Sequence, residues 1–229
     1  MNKTYAFTDL HGMYDLWAQV RDYCDESDTL YFLGDAADRG DDGIKIMQEL
    51  LKDKRVIYLM GNHEEFIASR ENYLWRINGG KKSMVDFETL SLIDQEYLIK
   101  KISKLPYKLT YANKKNQQIL LSHAGFTPGL EPKKITDYCW DRDHELDDWP
   151  KEEEYQSTFI VHGHTPAPYM QIDYDIPVTL DKYEIFEPVI YANGHKINLD
   201  LGSFVSKKIS LFDLDELKIV KSFYIGEKN

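Results

Sequence analysis

The sequence Thr4-Tyr5-Ala6-Phe7-Thr8-Asp9-Leu10-His11-Gly12 joins a short apolar run, typical of a buried β-strand, to a polar motif that ends in glycine. The same order of apolar run and polar motif recurs four more times along the chain. The later motifs are Gly34-Asp35-Ala36-Ala37-Asp38-Arg39-Gly40, Gly61-Asn62-His63-Glu64, Ser122-His123-Ala124-Gly125 and His162-Gly163-His164-Thr165-Pro166. We interpret each motif as the loop that follows one buried strand.

Helical patterns lie between these strands. Apolar residues recur at helical spacing from Leu16 to Tyr23 and again from Ile44 to Leu51. An alternation of strands and helices predicts the α/β class. In open α/β sheets a site forms beyond the carboxyl ends of the strands, and the motifs are placed there.

Two regions depart from this alternation. Residues 66–105 have no convincing strand and predict two or three helices, with a break at Asn78-Gly79-Gly80. From residue 189 the pattern becomes antiparallel β, with a two-residue hairpin loop at Asn193-Gly194. We expect one domain over residues 1–229, with a helical insertion at about 66–105 and C-terminal antiparallel strands at about 189–225. The last two of these strands are predicted at 203–212 and 217–224.

Charge and composition limit the partners and the compartment. The chain has 229 residues and a formal net charge of −11. An acidic protein gains nothing from counterion release on a nucleic-acid duplex, so we expect no such partner. Cys24 and Cys139 form neither a metal-binding pair nor a disulfide framework, and no signal-peptide pattern or bilayer-length apolar run is present. We therefore expect a cytoplasmic protein without membrane contact.

The motifs supply the ligands of a site for two divalent cations. Asp9 and His11 offer a carboxylate and an imidazole at one strand end, which is a suitable half-set for Mn, Fe or Zn. Asp35 could bridge two ions, because a carboxylate has enough lone pairs to contact both. The second ion would be completed by Asn62, His123 and His164.

These motifs closely resemble those of the calcineurin-like metallophosphoesterases, and within them the serine/threonine protein phosphatase branch. The resemblance runs from Asp9 to Pro166 and resumes at residues 198–203. It implies a β-sandwich flanked by helices, with two divalent metal ions at the C-terminal ends of the strands. Mn²⁺ is the expected metal, and iron or zinc are the alternatives. By this resemblance the first metal takes Asp9, His11 and Asp35, and the second takes Asp35, Asn62, His123 and His164.

Three further sequence features indicate which subgroup of that family the chain resembles. Pro166 occupies the place where many members carry the last histidine of a Gly-His-x-His motif, so the first metal should hold more water, as in the protein phosphatase branch. Trp140-Asp141-Arg142 resembles the segment that gives the small bacterial and phage members a second phosphate-binding arginine. Trp75 with Asn78-Gly79-Gly80 also resembles that subgroup.

The resemblance and the physics of two-metal sites together imply direct hydrolysis. Two cations about 3.5–4 Å apart can bind one bridging water and lower its pKa towards about 7, and the resulting hydroxide attacks phosphorus. His63 would protonate the leaving oxygen, and Asp38 would hold its ring. The substrate phosphate would be bound by Arg39, Asn62 and Arg142.

Other polar residues near the motifs are given lesser roles. Glu64 is expected to brace its turn, and Asp200 is expected to be structural. His162 lies near His164 but is not assigned to the site, and His144 and His195 are expected to be solvated.

Three functions are compatible with these residues. The leading interpretation is a phosphomonoesterase that acts on phosphoserine or phosphothreonine in proteins, or on a small phosphorylated molecule. The alternative is a bis(5'-nucleosyl)-tetraphosphatase that uses the same site on diadenosine tetraphosphate. The acidic stretch at 143–154 argues mildly against a polyphosphate, whereas the 16 tyrosines leave aromatic stacking open. The third function is a non-catalytic phosphate-binding scaffold, which should have lost a ligand or the His63–Asp38 pair.

Overall fold

The computed structural model describes residues 2–142, 149–171 and 186–226. Over this part of the chain, strands and helices alternate first, and antiparallel strands follow. The strands are β1 Thr4–Phe7, β2 Thr29–Phe32, β3 Val56–Tyr58, β4 Lys108–Ala112, β5 Gln118–Ser122, β6 Thr158–His162, β7 Val189–Tyr191, β8 Lys196–Asn198, β9 Lys208–Asp213 and β10 Lys218–Tyr224. The α-helices are α1 Tyr14–Tyr23, α2 Gly43–Leu50, α3 Asn62–Ser69, α4 Asn72–Trp75, α5 Lys81–Thr89, α6 Leu92–Ile102, α7 Asp137–Trp140 and α8 Ser203–Ser206.

The strands of the described residues form two five-stranded mixed sheets. The first sheet has the order β10-β9-β1-β2-β3, in which β1, β2 and β3 are parallel and β9 and β10 are antiparallel to their neighbours. The second sheet has the order β4-β5-β6-β8-β7, in which β5, β6 and β8 are parallel. Of the parallel strands that precede the motifs, β1, β2, β5 and β6 lie inside their sheets, whereas β3 forms one edge of the first sheet.

The alternation of side chains along β1 shows how the layers pack. Tyr5 and Phe7 point into an apolar cluster that is shared with the helices, whereas Ala6 points the other way. Ala6 belongs to a second cluster that includes Leu121 of β5 and Val161 of β6, so this cluster lies between the two sheets. A strand that is buried on both faces has a nearly continuous apolar sequence, and β1 has such a sequence. The expected α/β sandwich with flanking helices is confirmed.

The predicted strands before the motifs are all present, but one strand was missed. Strand β4 pairs antiparallel with β5 at the edge of the second sheet. Its sequence is Lys-Leu-Thr-Tyr-Ala, and side-chain exposure alternates along it. Lys108, Thr110 and Ala112 are exposed to solvent, and the other two residues are half-buried. An edge strand with such weak apolar character gives little signal in the sequence.

The C-terminal part differs from the prediction in two places. Strands β7 and β8 pair from Tyr191 to Lys196, so the hairpin loop has four residues rather than the predicted two. Residues Ser203–Ser206 form the short helix α8, and the strand begins only at Lys208. Lys207, directly after α8, adopts the left-handed conformation with a φ of 55°, and this backbone turn interrupts the run that was interpreted as one strand.

Residues 62–102 form helices α3 to α6 and contain no strand. Asn78 and Gly79 have non-helical dihedral angles, with a φ of 97° at Gly79, where the sequence indicated a break. Within the described ranges, none of the helices combines the length and the apolar character that crossing a bilayer requires.

Candidate metal and phosphate site

The motif loops of both sheets meet at one edge of the sandwich. Asp9 follows β1 and Asp35 follows β2, while Asn62 begins α3 after β3. From the second sheet, His123 follows β5 and His164 follows β6. Two hydrogen bonds join the loops across the sandwich: the His123 ring Nδ1 lies 2.9 Å from the Leu33 carbonyl oxygen, and the His164 backbone N–H donates to Asp9 at 3.2 Å.

Several site residues have strained backbone conformations. Asp9, His11, Asp35 and His164 all have positive φ values, of 52°, 42°, 63° and 73°. Residues other than glycine rarely adopt this region, and such strain is typical of functional sites. These tight turns direct the four side chains into the protein interior, where each residue is at most 8% exposed.

Asp35 lies at the centre of the cluster. Its Oδ2 atom is 3.6 Å from His11 Nε2 and 3.8 Å from His63 Nε2. Its Oδ1 atom is 3.3 Å from His123 Nε2, on the other side. The two carboxylate oxygens thus face two separate groups of donors, as a bridge between two ions requires.

The remaining expected ligands surround this centre. Asn62 Oδ1 lies 3.0 Å from both His123 Nε2 and His164 Nδ1. Asp9 Oδ2 accepts a hydrogen bond from the Thr8 hydroxyl at 2.6 Å, whereas the buried Asp9 Oδ1 has no hydrogen-bond donor among the described residues. A buried carboxylate oxygen without a donor is costly, and a cation would satisfy it.

Two groups of ligand atoms are close enough to hold an ion. His11, Asp35 and His63 form one group, and Asp9, Asp35 and His123 form the other; within each group the atoms lie within 4.8 Å of one another. Carboxylate oxygens and imidazole nitrogens suit Mn, Fe and Zn. The donor set therefore fits two cations that share Asp35.

Electrostatics in the cluster also indicate a need for positive charge. Burial alone would raise the pKa of the Asp35 carboxyl, but the nearby His123 and His63 hold that pKa well below its usual value. Burial would lower the pKa of His123, yet the carboxylates of Asp35 and Asp9 raise it to about 10. In the protein alone, the buried carboxylates thus draw a proton onto His123. A bound cation would supply the same positive charge and leave the imidazole free to coordinate.

The His11 ring is kept neutral by its low pKa, so it can bind a cation without first releasing a proton. Burial, together with the adjacent Arg39 and His63, holds the pKa of His11 well below its usual value. Its Nδ1 lies 3.1 Å from the Ala37 carbonyl oxygen, which fixes the ring and leaves Nε2 facing Asp35. A backbone partner of this kind is typical of histidines that bind metals.

His63 and Asp38 form a tight buried pair. His63 Nδ1 lies 2.5 Å from Asp38 Oδ2, and the other Asp38 oxygen accepts a hydrogen bond from the Trp75 indole at 2.8 Å. The His63 Nε2 atom faces the centre of the cluster, 3.8 Å from Asp35. The Nε2 atom of His63 also lies 3.4 Å from Arg39 Nη2, so the pair presents this nitrogen to both Asp35 and Arg39.

The two expected phosphate-binding arginines occupy different places. Arg39 is solvent-exposed, and its guanidinium contacts His11 Nε2 at 2.8 Å and lies 4.6 Å from the Phe204 ring centroid. Arg142 donates to the Thr165 hydroxyl at 3.1 Å, next to His164. The structure thus places Arg39 on the His11 side of the cluster and Arg142 beside the His164 loop.

Glu64 braces its turn, as expected from the sequence. Its carboxylate accepts hydrogen bonds from the backbone N–H groups of Asp35, Ala36 and Gly61 at 2.7, 2.9 and 3.1 Å. It also accepts one from the Tyr58 hydroxyl at 2.8 Å. Glu64 therefore connects the start of α3 to the loop that carries Asp35.

The histidines outside the site have other roles. His162 Nε2 lies 2.8 Å from the Tyr191 hydroxyl, away from the ligand cluster. His195, which was expected to be solvated, is half-buried, and its ring stacks on Trp149 with centroids 4.6 Å apart and also on Phe159. His144 lies outside the described residues.

Asp200 accepts a hydrogen bond from the Gly202 N–H at 2.8 Å, as a structural residue would.

Several supporting residues were given no role from the sequence, although Ser203 lies in the stretch at 198–203 that resembles the family. The Ser203 hydroxyl donates to the Asp9 backbone carbonyl, and the Ser83 hydroxyl accepts a hydrogen bond from the Asp38 N–H at 3.0 Å. Phe204 packs edge-on against His11, with ring centroids 5.8 Å apart. These residues come from α5 and α8, far from the motifs in sequence, so only the folded chain brings them to the site.

Comparison with known proteins finds similarity over most of the chain. The family model for calcineurin-like phosphoesterases matches residues 3–198. The chain is 26% identical over 222 residues to a bis(5'-nucleosyl)-tetraphosphatase (asymmetrical) of Oceanobacillus iheyensis, covering 87% of this chain and 80% of that protein. It is also 32% identical over 131 residues to a symmetrical bis(5'-nucleosyl)-tetraphosphatase of Buchnera aphidicola, covering 55% of this chain and 45% of that protein.

Solved structures share the fold. A provisionally assigned diadenosine tetraphosphatase superimposes with a TM-score of 0.61 at 16% identity, covering 99% of this chain and 95% of that chain. A serine/threonine phosphatase from Saccharomyces cerevisiae superimposes with a TM-score of 0.64 at 13% identity, covering 100% of this chain and 81% of that chain. At such low identity these two likenesses concern the fold alone.

Proposed function

Because this chain belongs to the calcineurin-like phosphoesterase family, we propose that it is a metal-dependent hydrolase that cleaves dinucleoside polyphosphates such as diadenosine tetraphosphate. The observation that carries the proposal is the buried two-cation donor set around Asp35, in a chain whose similarity to a bis(5'-nucleosyl)-tetraphosphatase extends over 87% of its length. A phosphoprotein substrate, the leading interpretation of the sequence, is the competing proposal.

Aromatic side chains at the rim support a nucleotide substrate. Trp140 is 38% exposed, and its ring centroid lies 6.4 Å from that of His164. Phe204, which is half-buried, lies on the other side beside Arg39 and His11. Aromatic faces stack readily on nucleobases, with about 1–3 kcal/mol per base. Trp140 therefore offers an exposed ring to one base, whereas one face of the Phe204 ring is covered by the Arg39 guanidinium.

The residues at the site fit the following assignments. One cation would be held by Asp9, His11 and Asp35, and the other by Asp35, Asn62, His123 and His164, with Mn²⁺ as the first metal to test. When bound, two such cations supply positive charge for the phosphoryl oxygens and acidify a water molecule.

The remaining steps belong to side chains. Arg39 binds the phosphoryl oxygens from the His11 side, and Asn62 and Arg142 do so from the His164 side. As the bond between phosphorus and the leaving oxygen breaks, His63 gives its Nε2 proton to that oxygen. Asp38 accepts a hydrogen bond from Nδ1 and thereby stabilises the protonated ring.

Parallel assays on diadenosine tetraphosphate and on a phosphoserine peptide, both with Mn²⁺, test the proposal. We expect kcat/KM to favour the dinucleotide by at least about tenfold, which corresponds to about 1.4 kcal/mol of transition-state binding. Chromatography of the products distinguishes ATP plus AMP from two ADP. A preference for the peptide would restore the protein phosphatase interpretation. Failure to hydrolyse either substrate or p-nitrophenyl phosphate, despite measured metal binding, would indicate the scaffold.

A further inference from the structure

The segment Trp75–Ser83, which joins α4 to α5, contacts the loop that carries Asp38 and Arg39 at three points. The Trp75 indole N–H donates to Asp38 Oδ1 at 2.8 Å. The Asp38 backbone N–H donates to the Ser83 hydroxyl at 3.0 Å, and the Arg39 backbone N–H donates to the Gly79 carbonyl at 3.1 Å. None of these three contacts belongs to the cation cluster or to the assignments made above.

These contacts hold a strained piece of backbone. Asp38 and Arg39 have φ values of 73° and 63°, which residues with a side chain rarely adopt. Such conformations persist only where the surrounding structure holds them in place. Trp75 is 3% exposed, and Asp38 and Ser83 are fully buried, so solvent does not reach the hydrogen bonds between them.

The glycines of Asn78-Gly79-Gly80 allow this close approach. A Cβ atom on Gly79, which has a positive φ, would lie 3.0 Å from Arg39 Cγ. A Cβ atom on Gly80 would lie 2.2 Å from Trp75 Cδ1 and would push the indole out of its place. Trp75 and the two glycines therefore form one unit that packs against the loop.

We propose that Trp75 is a positioning residue for the hydrolytic reaction. Its indole N–H fixes one oxygen of the Asp38 carboxylate, so that the other oxygen, 2.5 Å from His63 Nδ1, holds the imidazole with Nε2 facing the leaving group. This inference rests on the proposed hydrolase activity at this site, but not on which phosphate ester or anhydride is the substrate.

Removal of the indole N–H has two physical consequences. One buried oxygen of Asp38 loses its donor, which is unfavourable for an ionised carboxylate. The carboxylate is also free to rotate, so His63 loses the partner that sets its tautomer and orientation. Proton transfer to the leaving oxygen then becomes less effective, whereas phosphate binding at Arg39 and Asn62 is retained.

A second tryptophan provides a matched control. Trp17 is fully buried, and its indole N–H donates to Glu49 Oε2 at 2.9 Å, in the α1–α2 packing away from the site. Trp75→Phe and Trp17→Phe each remove one buried indole and one hydrogen bond to a carboxylate. A purely structural role for Trp75 predicts the same behaviour in both variants.

The kinetic test compares two aryl phosphates. Phenyl phosphate has a basic leaving group that needs a proton, whereas 2,4-dinitrophenyl phosphate releases its phenolate without one. General acid catalysis typically contributes about 10²–10⁴-fold, so we expect Trp75→Phe to slow kcat on phenyl phosphate by roughly tenfold. On 2,4-dinitrophenyl phosphate the rate should change by less than about twofold, because no proton is required. Trp17→Phe should leave the ratio of the two rates unchanged.

A second readout does not depend on turnover. In ¹⁵N spectra of the histidine rings, wild-type His63 should show a slowly exchanging Nδ1–H, since that proton lies against Asp38 in the interior. Trp75→Phe should speed this exchange or mix the tautomers, and Trp17→Phe should not. If Trp75→Phe does not fold, Ser83→Ala, which removes the acceptor of the Asp38 N–H, is read by the same two measurements.

The outcomes separate this inference from the proposed function. Equal slowing of both aryl phosphates, or an unchanged His63 spectrum in the variant, would overturn the positioning role of Trp75. A preference for phosphopeptide over diadenosine tetraphosphate would overturn the proposed substrate and leave the Trp75 result intact. An inactive wild-type protein would overturn the hydrolase proposal, and with it the positioning role.

Discussion

Asp35 Oδ2 and His63 Nε2 lie 3.8 Å apart, yet we assign the two residues different chemistry. Asp35 faces donors on both sides and would be shared by two cations. His63 is bound to Asp38 through Nδ1, and its Nε2 atom lies near Asp35 and Arg39. Substitutions at these two neighbours should therefore have separable effects on metal content and on rate.

The first residue-scale prediction concerns His63→Ala. This change removes the proposed proton donor but none of the assigned metal ligands. On phenyl phosphate, whose leaving group needs a proton, we expect kcat to fall by about 10²–10⁴-fold while the metal content stays near that of the wild type. Mass spectrometry of the purified protein for metals, alongside steady-state assays, measures both quantities.

Asp35→Asn is the matched comparison for His63→Ala. The amide has lost the charge that would bind both cations, so we expect turnover to be abolished and metal loading to be weakened. A His63→Ala protein that comes out metal-free would contradict the role of His63 as a proton donor.

At the scale of secondary-structure elements, Glu64 connects the N-terminus of α3 to the loop after β2. Four buried donors point at its carboxylate, three of them backbone N–H groups. The side chain is fully buried, and burial raises the pKa of its carboxyl. This carboxylate thus fixes the turn in which Asp35 takes up its positive φ.

Glu64→Ala should strongly destabilise the protein. Leaving several buried donors without an acceptor costs on the order of 3 kcal/mol or more in the free energy of unfolding, which urea titration measures. Glu96→Ala is the control, because Glu96 is 69% exposed in its ion pair with Arg70 and should contribute less than about 1 kcal/mol. Similar losses in the two variants would show that Glu64 does not brace the turn.

Gly163 lies at the junction of β6 with its motif loop. A Cβ atom there would lie 2.2 Å from Asp9 Oδ2 and 2.6 Å from the Thr8 hydroxyl. Gly163→Ala should therefore displace the Asp9 carboxylate without removing any ligand. We expect a loss of roughly 10–100-fold in metal affinity, as is typical when the support of a ligand is disturbed.

Isothermal titration with Mn²⁺ measures this effect of Gly163→Ala. Gly226→Ala serves as its control, since among the described residues a Cβ atom there would meet only the Tyr224 ring carbons, at 3.6 and 3.7 Å. Unchanged affinity in Gly163→Ala would mean that Asp9 is not a ligand or that its loop adapts freely.

At the scale of the whole molecule, the proposed ligands come from both sheets of the sandwich. Asp9 and Asp35 belong to loops of the first sheet and Asn62 begins the helix after its strand β3, while His123 and His164 belong to loops of the second sheet. Bound cations would therefore tie the two sheets together. Because the site is formed only in the folded chain, metal binding should stabilise the fold.

Removal of metal should accordingly lower the stability of the protein. A ligand at a concentration 100 times its dissociation constant contributes about 2.7 kcal/mol. We expect chelator-treated protein to unfold at lower urea concentration, and added Mn²⁺ to restore the midpoint. Asp35→Asn should show little response to Mn²⁺. An equal response in the wild type and in Asp35→Asn would place the stabilising ion elsewhere.

The sequence by itself determined the class of fold and the residues of the cluster. Each buried strand appears in the sequence as a short apolar run. The polar residues that directly follow such a run lie at the carboxyl end of its strand. The five motifs therefore indicate a common site through their position after each apolar run. The family resemblance then assigned roles that the geometry of Asp9, Asp35, Asn62 and His123 accommodates.

The tertiary structure decided what surrounds the cluster. The contacts of Trp75 and Ser83 with Asp38, and of Ser203 with Asp9, join parts of the chain that are far apart in sequence. The edge strand β4 and the helix α8 likewise depend on their neighbours more than on their own apolar pattern. Local periodicity reports which face of an element is buried, but the partner that covers that face is chosen only when the whole chain packs.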